Sequence, residues 1–318
     1  MTDNATPKLE LSPPDLSAYA EGNAGFPYAL TFKASEPGPH VLLNAVVHGN
    51  ELCGAIALDQ LLKEGLRPRR GTLTFCFANV EAFHSFDPKR PEASRFVDED
   101  FNRLWDLSTL DGPRQSKELT RARQLRPLYE TVDFLLDIHS MQNPTAALGL
   151  CGPTAKGAAM ARALDYPAYV VADAGHAAGR RLRDFADFSD EGSPKNALLV
   201  ECGQHWEAIS AGVAMTTTAR FLGLHGLVDD DFVAKHSPAP MAEAQKVIEI
   251  THAITVKTEK FRFVDSFRGM EVIARQGSPL GWDDNLAVTT PYDDCVLIMP
   301  SRRLLKGQTA VRLGRFVD

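Results

Sequence analysis

The sequence has few cysteines, and none of them form a CxxC pair. The five residues are Cys53, Cys76, Cys151, Cys202 and Cys295. Because their number is odd and their spacing is irregular, they do not resemble a disulfide framework. They predict reduced thiols, mostly in the core, and a cytoplasmic protein.

Long apolar runs and basic runs are missing as well. No stretch approaches the roughly 18 apolar residues that span a bilayer, and the first residues lack the basic and apolar regions of a secretory signal. The net charge is −7, and no Lys/Arg-rich run could follow a phosphate backbone. We therefore expect no membrane and no nucleic acid as partners. A homo-oligomer is compatible with the sequence.

Apolar runs typical of strands alternate with helical patterns in the first part of the chain. The predicted strands are 41–47, 72–78, 132–138, 169–172 and 197–200, and the predicted helices are 51–65, 116–130 and 206–222. This alternation predicts an α/β fold in which a mainly parallel or mixed sheet has helices on both faces.

The pattern changes near residue 235. Beyond the Pro-containing segment 236–240, short strands are separated by Gly, Pro and Asp, which predicts a small all-β domain over 236–318. Residues 1–24 are polar and read as an N-terminal arm, which leaves 25–235 for the α/β domain. Within that domain, 79–105 has no regular period, and a connection of this length is usually functional or disordered.

Residues that can bind a metal follow three predicted strands. The first strand ends in HGNE, which carries His48 and Glu51, and two later strands end in His139 and Glu201. Ligands of open parallel sheets bind beyond the carboxyl ends of the strands. Two histidines and a glutamate with an open fourth position form a catalytic zinc set, so His48, Glu51 and His139 are the predicted ligands of one Zn²⁺ per chain. The alternative is a first-turn carboxylate favoured by the helix dipole beside an ordinary loop histidine.

Two further carboxylates have predicted roles in this chemistry. Asp137 lies two residues before His139, on the same face of the strand, where it could accept the distal N–H of a ligating imidazole. Glu201 follows an apolar run and is the predicted base that takes a proton from water and gives it to the leaving group. The alternatives are a solvated aspartate and a buried structural salt bridge.

The irregular segment supplies polar residues to the same edge of the sheet. Arg95 could stabilise an oxyanion, and Asn102 with Arg103 could bind a substrate carboxylate. Alternatively, the acidic residues at 98–100 neutralise the two arginines within the loop.

Three other clusters compete with this site. His84 and Asp87 have a metal-type spacing without an evident third ligand, and Cys202 with His205 could form a nucleophilic pair. The basic segment 179–183 could be a solvated surface or a pocket for a substrate anion.

Four of these motifs together resemble the succinylglutamate desuccinylase/aspartoacylase family, a branch of the zinc carboxypeptidase-like enzymes. They are HGNE at 48–51, RFVDEDFNR at 95–103, LLDIHS at 135–140 and LLVECG at 198–203, and the resemblance covers roughly residues 40–225. It implies zinc on His48, Glu51 and His139, with Glu201 as base and acid.

The resemblance also implies that Arg95 polarises the scissile carbonyl and that Asn102 and Arg103 hold a substrate carboxylate. The β-rich tail fits the C-terminal domain that narrows the entrance in aspartoacylase-like members. Two features depart from the pattern: the segment HSMQNP after His139, and the lack of an arginine just before Glu201 to read an aspartate side chain.

The sequence therefore predicts a zinc-dependent deacylase. Its substrate would be a small N-acylated amino acid or amine that carries a carboxylate. The alternatives are a zinc carboxypeptidase for short peptides and a catalytically silent relative that binds a metal or ligand.

Overall fold

The structure is a computed structural model that describes residues 8–175, 178–237 and 244–317. Its helices are α1 (Leu52–Lys63), α2 (Val80–His84), α3 (Leu107–Leu110), α4 (Lys117–Glu130), α5 (Ala155–Leu164), α6 (Ala208–Leu224) and α7 (Asp230–His236). Its first strands are β1 (Ala29–Lys33), β2 (Glu36–Ala45), β3 (Arg70–Phe77), β4 (Phe134–Met141), β5 (Leu148–Leu150), β6 (Tyr169–Ala172) and β7 (Asn196–Gln204). The later strands are β8 (Lys246–Thr255), β9 (Phe261–Phe263), β10 (Val272–Ile273), β11 (Pro279–Asp283), β12 (Leu286–Thr289), β13 (Cys295–Ile298) and β14 (Thr309–Val317).

The predicted mixed sheet is confirmed. Eleven strands follow the order β1-β3-β2-β4-β7-β5-β6-β8-β14-β13-β10. The central pairs β3–β2, β2–β4 and β4–β7 are parallel, and the β14 side of the sheet is antiparallel. Parallel strands need covered faces, which explains why all nine residues of β7 are buried.

Helices cover both faces of this sheet, as the sequence predicts. Because side chains of a strand alternate, Leu43 and Leu136 pack with Leu58 of α1 on one face. Their chain neighbours Leu42 and Leu135 pack on the other face with residues of α4. The sheet therefore lies between two apolar layers, one on each face.

The C-terminal strands extend the same sheet. β8 pairs in parallel with β6, and β14 then pairs with β8 over almost its whole length. A second, three-stranded antiparallel sheet contains β12, β11 and β9. The β-rich character of this region is confirmed. We propose that 236–318 is a folding unit of its own, although its strands join the main sheet.

Several short elements lie outside the predicted set. The irregular segment 79–105 contains α2, and α5 and β5 occur where no element was expected. In the described part of the predicted arm, Leu16 and Tyr19 are buried, and Tyr19 stacks on Phe77 with ring centroids 5.4 Å apart. Across the described ranges, none of the helices combines the length and the apolarity needed to cross a membrane.

Candidate metal centre and active site

Four predicted site residues meet at one edge of the sheet. His48 lies in the turn after β2, and Glu51 directly precedes α1. His139 and Glu201 are paired residues of β4 and β7, because both strands run further than the sequence predicts. The neighbouring strands therefore bring a ligand candidate and the candidate base side by side.

The glycine of the HGNE turn is required by close packing. A Cβ on Gly49 would lie 2.3 Å from the carbonyl carbon of Ala82 and 2.4 Å from the carbonyl oxygen of Ser94. The Gly49 N–H donates to the Arg95 carbonyl at 3.1 Å. Glycine thus lets the turn that carries His48 pack directly against the loop that carries Arg95.

Glu51 bridges the two histidines. Its Oε1 lies 2.7 Å from His48 Nδ1, and its Oε2 lies 3.0 Å from His139 Nδ1. All three side chains are buried, and their ligand atoms lie within 4.8 Å of one another. In the parts of the chain that the structure describes, no other trio of His, Cys, Asp or Glu could hold a metal ion in this way. Two imidazoles and one carboxylate are a donor set that suits Zn²⁺.

An aspartate lies at the second nitrogen of each imidazole. Asp100 Oδ1 is 3.0 Å from His48 Nε2, and Asp137 Oδ2 is 2.9 Å from His139 Nε2. Asp137 is fully buried and also accepts a hydrogen bond from Asn44 Nδ2 at 2.8 Å. A carboxylate this close to an imidazole favours one orientation of the ring, and here both Nδ1 atoms are directed at Glu51.

The charges of the cluster favour a cation at its centre. Burial opposes the charged form of His139, but Asp137 and Glu51 raise the pKa of His139 well above its usual value. Burial would also raise the pKa of Glu51, yet the two histidines hold the pKa of Glu51 well below its usual value. An ionised Glu51 between two imidazoles is a donor set that is chemically suited to bind a metal ion.

Glu201 occupies a different environment from Glu51. It is buried, and among the described residues its Oε2 has no hydrogen-bond partner. Burial, together with the negative charge of Glu51, raises the pKa of Glu201 well above its usual value, against the opposing effects of His139 and Arg95. A carboxyl group with a raised pKa beside a metal centre can both accept and return a proton.

Arg95 reaches the centre from the long loop. Its Nη2 donates to Asp100 Oδ2 at 3.1 Å, and its Nη1 lies 3.6 Å from Glu51 Oε1. The internal neutralisation considered for this loop therefore occurs for Arg95, with Asp100 as its partner. Glu99 instead pairs with Arg114 at 3.1 Å.

The side chains of Asn102 and Arg103 line the same cavity as the histidines. Asn102 Oδ1 accepts a hydrogen bond from the Leu182 N–H at 2.8 Å, which fixes the loop to the segment before β7. Arg103 Nη1 donates to the Asn102 carbonyl at 2.7 Å. Asn102 thus supports the loop as well as facing the cavity.

The cavity above the candidate metal centre measures about 190 Å³. Part of its wall comes from the C-terminal region, including Met299, Pro300, Leu305 and Arg312. The C-terminal region therefore lines part of the cavity, and the narrowing of the entrance that the resemblance implies stays a prediction. A larger groove of about 1100 Å³ adjoins the mouth and shares Gln142, Asn143, Arg268, Ser301 and Arg303 with the cavity.

The basic segment 179–183 is only partly a surface. Arg181 and Arg183 are buried and paired with Asp184, at 2.6 Å in each case. Arg181 also forms a bidentate pair with Asp173, at 3.0 and 2.7 Å. Since Arg181 lines the cavity, the segment forms a buried ion network behind the site rather than a solvated surface.

The competing clusters do not assemble into sites. Asp87 binds the Lys89 N–H and Arg90, while the His84 ring lies edge-on to Tyr28. His205 turns away from the cysteine pairing and places its Nδ1 2.9 Å from Ser140 Oγ. Burial lowers the pKa of His205 to about 3, so it is neutral where it lines the cavity.

Sequence reasoning missed several residues of the site. Asn44, Glu118, His205 and Arg312 contact or line it, and two of them, Glu118 and Arg312, lie far in sequence from the four motifs. The available signals were the positions of Asn44, four residues before His48, and of His205, four residues after Glu201.

Comparison with known proteins identifies related sequences. The family model of the succinylglutamate desuccinylase/aspartoacylase catalytic domain matches residues 37–222. Aspartoacylase from Rattus norvegicus is 27% identical over 125 residues, which are 36% of this chain and 38% of that protein. The chain therefore matches less than half the length of this curated relative.

Solved structures show the same fold over most of the chain. Succinylglutamate desuccinylase from Vibrio parahaemolyticus has a TM-score of 0.66 at 17% identity, with 92% of this chain and 87% of that chain covered. A succinylglutamate desuccinylase/aspartoacylase from Rhodobacter sphaeroides has a TM-score of 0.66 at 19% identity, covering 91% and 89%. Murine aminoacylase 3 has a TM-score of 0.58 at 19% identity, covering 89% and 97%.

Proposed function

The chain belongs to the succinylglutamate desuccinylase/aspartoacylase family, and from this premise we propose that it is a zinc-dependent deacylase. Its substrate is a small N-acylated amino acid or amine that carries a carboxylate, and it hydrolyses the linear amide bond. The observation that carries this proposal is the buried His48–Glu51–His139 cluster with Glu201 beside it at one end of a cavity.

The three ligand candidates fit a zinc ion by chemistry and by position. Their donor atoms are close together, and Asp100 and Asp137 hold the imidazoles in orientation. One ion per chain on His48, Glu51 and His139 follows from this set. When bound, zinc polarises a carbonyl oxygen and lowers the pKa of water.

Glu201 is the proton-transfer residue in this proposal. Its unpartnered Oε2 is free to accept the proton of the attacking water. The same carboxyl then protonates the amine nitrogen as the C–N bond breaks, which gives a carboxylic acid and a free amine. The raised pKa of Glu201 supports both steps, because it makes the carboxylate a stronger base toward water and keeps the acid form available to protonate the leaving amine.

Two arginines and Asn102 interact with the negatively charged groups of the reaction, which are the oxyanion and the substrate carboxylate. Arg95 is close enough to Glu51 for its guanidinium to stabilise the oxyanion that forms at the acyl carbon. Asn102 and Arg103 bind the substrate carboxylate at a distance from the reacting bond. A cavity of about 190 Å³ supports a small substrate rather than a protein. We also keep a cytoplasmic location as part of the proposal.

Glu201→Gln tests the proposal without removing a ligand. The amide keeps the shape of the side chain but cannot take a proton, so the hydrolysis rate should fall by at least about 100-fold. The bound zinc, measured by atomic emission, should stay at the wild-type level. Glu207→Gln, just after β7, is the matched control and should retain full activity.

Two outcomes would overturn parts of the assignment. If Glu201→Gln loses its zinc, Glu201 is a ligand and the role of Glu51 must be reassigned. If Glu201→Gln hydrolyses the substrate at the wild-type rate, Glu201 is not the base.

A further inference from the structure

A buried arginine from the C-terminal strand reaches the cavity. Arg312 belongs to β14 and is only 3% exposed, yet it lines the cavity together with Arg103 and Glu201. The pairing of β14 with β8, and of β8 with β6, sets its position. A site residue is thus provided by a strand that lies outside all four motifs.

The carboxylate next to Arg312 is already occupied. Arg312 Nε lies 3.3 Å from Asp173 Oδ2, but both oxygens of Asp173 are engaged by Arg181. Arg181 is further held by Asp184. Asp173 is therefore shared between two guanidinium groups.

Arg103 adds a third positive charge. Among the described residues, no carboxylate lies within 4.0 Å of its guanidinium. Burial and the positive charges of Arg181 and Arg103 lower the pKa of Arg312 to about 10, despite the opposing effect of Asp173. Burial and its arginine neighbours also lower the pKa of Arg103. Buried positive charges in this arrangement favour an anionic ligand between them.

We propose that Arg312 is a specificity-determining residue, which forms with Arg103 a subsite for a carboxylate of the substrate. The inference rests on the proposed function, since it assumes that the ligand is the substrate of the same cavity. The sequence has no arginine just before Glu201 that could bind a substrate carboxylate. In this inference, Arg312 of β14 provides that guanidinium group instead. Two planar guanidinium groups can bind one carboxylate through several charged hydrogen bonds.

Binding of a matched pair of probes tests this inference without catalysis. In 4-oxopentanoate a CH₂ replaces the amide N–H of N-acetylglycine, so the molecule keeps the acyl carbonyl and the carboxylate but cannot be hydrolysed. The second probe, 4-oxopentanamide, has the same shape without the charge. Both are titrated calorimetrically into the zinc-loaded protein.

The variants are Arg312→Met, Arg312→Lys and, as a control on the same strand, Arg315→Met. The side chain of Arg315 is 59% exposed and pairs with Glu249, away from the cavity. Wild type should bind the carboxylate more tightly than the amide. Arg312→Met should weaken binding of the carboxylate by about 10- to 100-fold, the value of a charged hydrogen bond, and leave the amide unchanged. The affinity of Arg312→Lys for the carboxylate should lie between those of wild type and Arg312→Met, because lysine keeps the charge and loses the planar geometry.

Three results would overturn the inference. The first is an equal loss of affinity for both probes in Arg312→Met. The second is wild-type protein that shows no preference for the carboxylate, which includes protein that binds neither probe measurably. The third is full affinity for 4-oxopentanoate in both Arg312 variants. If Arg312→Met does not fold, Arg312→Lys decides, because it retains the charge beside Asp173. A protein that binds 4-oxopentanoate through Arg312 but hydrolyses no amide would overturn the proposed function and leave the subsite in place.

Discussion

At the scale of single residues, the site is a chain of buried polar contacts. Tyr129 Oη donates to Asn44, Asn44 donates to Asp137, and Asp137 contacts His139. Each link fixes the next, so the ligand candidate is oriented by residues that could not touch a metal themselves. The proposed metal affinity therefore depends on more than the three ligands.

Asp137→Asn tests this dependence. An amide at this position no longer offers a charged acceptor to His139 Nε2, so the imidazole should become a weaker ligand. We expect zinc affinity to fall by about 10- to 100-fold, as is usual when such a partner is replaced. Competition with a chromogenic chelator measures the affinity.

Asp231→Asn is the matched control for this change, because Asp231 is exposed on α7. Its zinc affinity should equal that of wild type. An unchanged affinity in Asp137→Asn would show that Asp137 does not act through His139.

Sequence reasoning worked best where the strand pattern fixes the position of a side chain. The rule that ligands bind at strand ends predicted that His48, Glu51, His139 and Glu201 would meet, and the structure brings them together. Side chains two residues apart lie on the same face of a strand, so Asp137 was predicted to lie beside His139, and the structure places it there. Asp100 was considered only as a partner of arginines, because its contact with His48 depends on how an irregular loop folds.

At the scale of elements, α4 holds the loop between Arg95 and Asp100 in place through one buried carboxylate. Glu118 accepts the N–H groups of Val97, Asp98 and Glu99 at 2.6, 3.0 and 3.2 Å. These three amides lie between Arg95, which contacts Glu51, and Asp100, which contacts His48. The long loop is thus fixed by a helix that contributes no residue to the cavity wall.

Glu118→Gln should disturb the loop from a distance. A neutral amide is a weaker acceptor and places an NH₂ group against backbone N–H groups, so the loop loses part of its anchor. We expect kcat/KM to fall by about 10-fold or more, since small errors in the position of catalytic groups have large effects on rate. Zinc content should be unaffected.

Glu130→Gln on the same helix is the control, because Glu130 is half-exposed and pairs only at the surface with Arg126. It should keep wild-type kinetics. Wild-type kcat/KM in Glu118→Gln would mean that the loop is held by other contacts.

The helices that sequence reasoning found are the three longest ones. The central strands and helices α1, α4 and α6 were predicted to within a few residues. β5 has three residues and α2 has five, so neither carries enough of a pattern to be distinguished from a loop. The ten-residue helix α5 is shorter than the three helices that were predicted, and it was missed.

At the scale of the molecule, an acidic protein encloses a basic cavity. The chain carries a net charge of −7, whereas the cavity is lined by six arginines and three carboxylates. The arginines are Arg95, Arg103, Arg181, Arg268, Arg303 and Arg312. Three of these come from the C-terminal region, and no local pattern could have assigned them, since only the joining of β8 to β6 brings them to the site. Such a cavity favours anionic substrates over neutral ones.

The most direct test of the central claim measures amine release from a panel of N-acyl amino acids and short peptides. Release is measured before chelation, after chelation and after zinc is returned. The account predicts that N-acyl amino acids release amine faster than the peptides do. It also predicts that chelation abolishes the reaction and that about one zinc per chain restores it. Hydrolysis that continues unchanged without metal would contradict the zinc mechanism. Hydrolysis of the peptides alone would make the protein a carboxypeptidase, and a zinc-loaded protein that releases no amine from any member of the panel would be a binding protein.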